Sequence, residues 1–119
     1  QPGDLLLLQF EVPVDVVMAA ITTAKEKGVT VIVDPAPAPN DLPERFFALV
    51  DILTPNQVEA SQLVGFSVTD PQSAADAAQA LIKRGINLVM VKRGAEGVVV
   101  ATKDDCFHQS ACFPWGEGC

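Results

Sequence analysis

The chain has 119 residues, of which 49% are hydrophobic and 19% charged, a balance that supports one domain with a real core and excludes disorder. Its formal net charge is −7, eight Lys+Arg against 15 Asp+Glu, which makes it a poor match for nucleic acid or an anionic membrane surface. No apolar run approaches the roughly 20 residues of a membrane span.

The chain opens Gln1-Pro2-Gly3-Asp4, with no Met and no signal-like segment, so it reads as an excerpt of a longer protein. Leu5 to Leu8 is a short apolar run whose length and flanks predict a buried strand. Pro13 to Lys27 predicts a helix: proline suits the first turn, Val16, Val17, Ala20, Ile21 and Ala24 recur on one side, and Gly28 caps the end. Val29 to Val33 is β-branched throughout and predicts a second buried strand. Asp34 to Pro39 holds three prolines and reads as an extended loop. A short helix fits Pro43 to Leu49, and a third strand Val50 to Leu53.

Asn56 can cap a helix that runs through Glu59 and Leu63 to Gly65. Asp70-Pro71 opens an alanine-rich helix that ends at Gly85. Leu88 to Val91 is a fourth strand. Val98 to Ala101 and Cys106 to Ser110, around Lys103-Asp104-Asp105, predict a hairpin. Strands that alternate with helices imply an α/β fold, a mostly parallel sheet with helices on both faces and a C-terminal β-hairpin.

Cys106, Cys112 and Cys119 form an odd set without C-x-x-C spacing. That suits a reducing, cytoplasmic setting better than a disulfide framework. The single histidine, His108, has no zinc-ligand spacing to them.

Ligands in parallel α/β sheets bind beyond the carboxyl ends of the strands. That rule selects the loops after Leu8, Leu53 and Val91. The first holds Glu11, which can accept sugar hydroxyls or be a solvated residue before the helix. The second holds Asn56 and Glu59, one helical turn apart. They can position phosphate and hydrated Mg²⁺, or form an ordinary capping box. The third is Lys92-Arg93-Gly94-Ala95-Glu96-Gly97. Its glycines permit close approach of a nucleotide, although a plain turn explains them equally well. Neither a P-loop nor a full G-x-G-x-x-G fingerprint is present.

Taken together, the stretches LLLLQFE, VIVDPAPA, LVDILTPNQVEASQLVG, LIKRGINLVMVKRGAEGVVV and FHQSACFP resemble the ribokinase-like (PfkB-type) carbohydrate kinases, and the ribokinases among them most closely. The resemblance runs from about Leu5 to Pro114. It implies a three-layer, Rossmann-like fold, present in part as a kinase domain over 5–114, with 115–119 as an atypical tail. It implies in-line transfer of the ATP γ-phosphate to ribose or a related sugar; the alternatives are a fructokinase or other PfkB-type sugar or nucleoside kinase, or a non-catalytic nucleotide-binding remnant. Glu11 would contact the sugar. Asn56 and Lys92, Arg93, Gly94, Ala95, Glu96 and Gly97 would contact the nucleotide. Glu59 would organise Mg²⁺ through water. ATP, Mg²⁺ and K⁺ are the implied small molecules, and the parent enzyme would be a homodimer. Lys92-Arg93 stands where the ribokinases usually have Thr-Leu, a departure that counts toward other sugar kinases of the family and leaves the two glycines in place. The family's downstream D-T-x-G-A-G-D, with its anion hole and base, has no match: Gly116 and Gly118 are followed by Cys119. No catalytic residue is therefore expected within these residues, and no turnover from them alone.

Overall fold

The computed structural model describes residues 4–9, 13–35 and 42–109. The strands are β1 (Leu5–Gln9), β2 (Thr30–Asp34), β3 (Ile52–Leu53), β4 (Leu88–Lys92), β5 (Val98–Thr102) and β6 (Cys106–Gln109). The helices are α1 (Val14–Glu26), α2 (Glu44–Leu49), α3 (Gln57–Val64) and α4 (Pro71–Lys83), and a 3₁₀ turn spans Gly94–Glu96. The sheet runs β1-β2-β3-β4-β5-β6, parallel through β4 and antiparallel across β5 and β6.

Each parallel crossover steps the same way along the sheet. A right-handed connection then puts every connecting helix on one face. The strands carry the imprint of this. Val31, Val33, Leu53, Val89, Val91, Val99 and Ala101 share that face and are fully buried. They pack with Phe46, Phe47, Ala74, Ala77, Ala78, Leu81 and Ile86 in one core. The alternate residues point to the other face, where Leu5 is 65% and Leu7 67% exposed, with Ile32, Ile52, Leu88 and Met90 half-buried and Phe107 also exposed. Among the described residues, then, the fold supplies the sheet and one helical layer, and leaves an apolar face open.

Local sequence explains the helices. α4 buries Ala74, Ala77, Ala78 and Leu81, the spacing of one helical face. Asp70 and Ser73 close its N-terminus with a capping box, and Pro71 occupies the first turn. The Ser73 amide and hydroxyl hold the Asp70 carboxyl below its ordinary range, helped by the charge of Arg93. Gly85 ends the connection to β4 at φ 127°, where an added Cβ would lie 3.0 Å from the backbone of Phe47 and Ala48. Arg84 lies 3.8 Å over the Phe47 ring and pairs with Glu44 at 2.7 Å, joining α4 to α2.

The third strand is shorter than the sequence predicts. Val50 serves as the C-cap of α2, and Asp51 turns its carboxylate to the neighbours. That carboxylate accepts from the Val31 amide (2.8 Å), Lys25 Nζ (2.9 Å) and Asn87 Nδ2 (3.1 Å). The Asp51 backbone still bonds both sides, donating to Val31 O and accepting from the Leu88 amide. The second strand begins one residue later than expected, at Thr30, and takes in Asp34. The hairpin forms as expected, with Ser110 outside the described residues.

Candidate nucleotide site at the carboxyl edge

The strands β1 to β4 end together at one edge, at Gln9, Asp34, Leu53 and Lys92. The loop after β3 is pinned there on both sides. The Thr54 amide donates to Val33 O, and the Lys92 amide to Pro55 O at 2.8 Å. Asn56 continues as a single bridge to Lys92, so the N-terminus of α3 sits directly against the end of β4.

Asn56 and Glu59 form a reciprocal cap. Asn56 Oδ1 accepts from the Glu59 amide at 2.8 Å, and Glu59 Oε1 accepts from the Asn56 amide at 3.0 Å. Glu59 is 8% exposed, so its carboxylate is held in place by the cap. The bond to Asn56 uses only one of its oxygens. The next two amides of α3 have no intrahelical partner by construction, which makes this end receptive to anions. The capping role is thus present, and the geometry leaves the ligand role open beside it.

After Lys92 the chain makes the 3₁₀ turn and enters β5. Arg93 N donates to Gly97 O at 2.8 Å, closing the loop at its base. Gly94 has φ 60°, and a Cβ built on it would meet nothing within 4 Å. Gly97, at φ 105° and ψ −143°, occupies a region that only glycine reaches readily. From β6, His108 Nε2 sits 3.1 Å from Glu96 O and braces the turn.

Asn56, Glu59 and Lys92 through Gly97 therefore share one neighbourhood. Glu11 lies outside the described residues, as do Cys112 and Cys119. Lys92 and Arg93, grouped together by the sequence, part company. Lys92 Nζ lies 3.5 Å from Asp34 Oδ2. The Arg93 guanidinium lies near enough to Asp70 to lower its pKa. Asp34 Oδ1 and Arg93 Nε are buried with no hydrogen-bond partner among the described residues. Sequence reasoning missed Asp34, Asp51 and His108. The one signal for Asp34 was an acid closing the β-branched run Val31-Ile32-Val33.

Among the described residues no group of three or more His, Cys, Asp or Glu is arranged to hold a metal ion. A divalent ion here would need phosphate oxygens and water beside Glu59, which is how Mg²⁺ is usually held with nucleotides. Cys106 is a free thiol whose pKa is raised, first by burial and then by Asp76. A crevice of about 340 Å³ lies at the opposite edge, between α4 and the β5–β6 turn, lined by Gln79, Lys83, Thr102 and Asp105 among others. No described helix is long and apolar enough to cross a membrane.

The family model for pfkB family carbohydrate kinases matches residues 3–115. The chain belongs to this family. It is 45% identical over 101 residues to a ribokinase of Haemophilus influenzae, covering 85% of this chain and 33% of that protein. It is 39% identical over 109 residues to a ribokinase of Staphylococcus aureus, covering 92% of this chain and 36% of that protein. A structure of Arabidopsis thaliana ribokinase complexed with ribose and ATP superposes with a TM-score of 0.79 at 29% identity, over 89% of this chain and 34% of that one. The chain thus spans about a third of the length of the relatives it matches. Membership in the pfkB family fits the mixed sheet, with its parallel strands followed by an antiparallel hairpin.

Proposed function

We propose that this chain is the nucleotide-side third of a sugar kinase, which transfers the γ-phosphate of ATP to a hydroxyl of ribose or a related sugar. The observation that carries the reading is the meeting of the Asn56 cap with the Lys92–Gly97 loop at one sheet edge. The ribokinase relatives, one of them solved with ribose and ATP, favour ribose. A deoxyribokinase of Salmonella typhi, 33% identical over 107 residues, keeps deoxyribose as the competing acceptor.

In this reading the Gly94–Gly97 backbone lets the nucleotide approach closely, because Gly94 presents no side chain. Asn56 orients phosphate while it caps α3. Glu59, fixed by the same cap, holds hydrated Mg²⁺. The ion, when bound, neutralises charge that builds on the phosphoryl oxygens during transfer. Glu11 contacts the sugar. Deprotonation of the sugar hydroxyl falls to a residue outside these 119 residues, and residues 5–114 act as part of a kinase domain beside a tail of 115–119. The parent enzyme is a homodimer of the cytoplasm, and K⁺ is its further ion.

The chain alone is accordingly inactive, and its open face, with Leu5, Leu7 and Phe107 exposed, favours aggregation. The test is calorimetric titration with ATP–Mg²⁺ of the full-length kinase that carries this segment. Asn56→Ala weakens binding about tenfold if the side chain orients phosphate, since one charge-assisted contact is worth about 1.4 kcal/mol. Unchanged affinity, with a stability loss of about 1 kcal/mol, would leave Asn56 only its cap.

A further inference from the structure

Asp34 ends β2 and Lys92 ends β4, with the short β3 between them. Both point to the open face of the sheet, in the rows of Ile32 and of Leu88 with Met90. Lys92 Nζ reaches across to within 3.5 Å of Asp34 Oδ2, with the two side chains 42% and 24% exposed. The backbone of Lys92 is already fixed by the Pro55 bond and the Asn56 bridge. Only the four-carbon stem is left free, so the tether of its ammonium decides where the charge sits. Among the described residues the Asp34 carboxylate makes no hydrogen bond that competes for it: Oδ1 is buried without a donor.

We propose that Asp34 is a positioning residue. It holds the Lys92 ammonium beside the Asn56 cap, where nucleotide phosphates would lie, and it acts on nucleotide affinity only through that lysine. This rests on the nucleotide reading of Asn56 and the Gly94–Gly97 loop. An ammonium offers three donors, so one held by a carboxylate still has donors for phosphate. Without the tether, the lysine must be ordered again at each binding event.

Removing the Asp34 charge also has an opposite effect, because it leaves the site more positive. Both effects act within the screening length of about 8 Å at 0.15 M salt, so salt does not remove the added attraction. At this salt the ordering of the touching side chain outweighs it, and the sign of the Asp34→Asn change decides between the two.

The experiment is ATP titration of the full-length kinase by calorimetry at that salt, with KM for the sugar measured alongside. Asp34→Asn is expected to weaken ATP binding about threefold, in line with a half-exposed ion pair. Lys92→Met should weaken it about tenfold, as for one lost phosphate contact. The double variant should match Lys92→Met alone, and Asp34→Glu should recover part of the loss. The sugar KM should stay constant throughout, which a general structural defect would not allow. An additive double variant, or Asp34→Asn binding as tightly as the parent, overturns the proposal. If Lys92→Met binds ATP normally while Asn56→Ala does not, the ammonium does not face the nucleotide; the proposal falls and the site stands. If neither variant changes ATP affinity, the nucleotide reading fails and takes the proposal with it.

Discussion

Two aspartates at opposite edges of the sheet divide the molecule. Asp51, at the amino edge, receives a backbone amide, a lysine and an asparagine, and joins α1, β2 and the approach to β4. Asp34, at the carboxyl edge, has a single loose ion pair and one buried oxygen without a partner among the described residues. Arg93 Nε, the other such atom, is at the same edge. A buried polar atom without a partner carries a desolvation cost, and folded proteins keep few of them. One edge is built for stability; the other keeps polar groups in reserve, where parallel sheets bind their ligands.

The contrast can be broken by mutation in the full-length protein that carries this segment. Asp51→Ala should show the largest effect, about 3 kcal/mol of stability in denaturant melts, because it strands donors that a charged acceptor had satisfied. Asp34→Ala should cost less than about 1 kcal/mol, the range of an exposed pair. Equal losses would erase the distinction between the edges. Gly85→Ala should cost about 1–3 kcal/mol with ATP affinity unchanged, since its Cβ would press on Phe47 and Ala48 at a φ that disfavours side chains.

The smallest effect concerns acid. Arg84 holds the Glu44 carboxyl below its ordinary value, chiefly through their hydrogen bond, and Ser73 does the same for Asp70. Groups with lowered folded pKa values contribute stability that is complete above their unfolded values and is lost as pH falls through the folded ones. Both are exposed, so the melting temperature should fall only slightly faster below the ordinary carboxylate range than in an Arg84→Met, Ser73→Ala variant. Identical acid slopes in the two proteins would remove both pairs from the account.

Much of this architecture is legible in the chain. Val29 to Val33 declares a strand by β-branching alone, and the Asn56/Glu59 pair and Asp70-Pro71 announce helix starts at their observed places. The meeting of Asn56 with the glycine loop follows from the strand-end rule, because both follow parallel strands that prove to be neighbours. Spacing could not show that Asp51 would spend its side chain on Val31, 20 residues away, and so shorten β3 to two ladder residues. Nor could it show Lys92 crossing β3 to Asp34. In the sequence Asp34 reads only as the first residue of a proline-rich loop. The alternation of strands and helices also hides which face each helix takes. Only the strand order, rising without reversal from β1 to β6, reveals the single layer and the open apolar face.

Amide hydrogen exchange of the full-length protein, with and without ATP–Mg²⁺, decides whether nucleotide binds at the carboxyl edge. Nucleotide bound there slows exchange at Gln57 and Val58, at the start of α3, and across Gly94–Gly97, with no change around Gln79 and Lys103. Protection confined to the crevice between α4 and the β5–β6 turn, with the Asn56 and Gly94 segments unaffected, would contradict it.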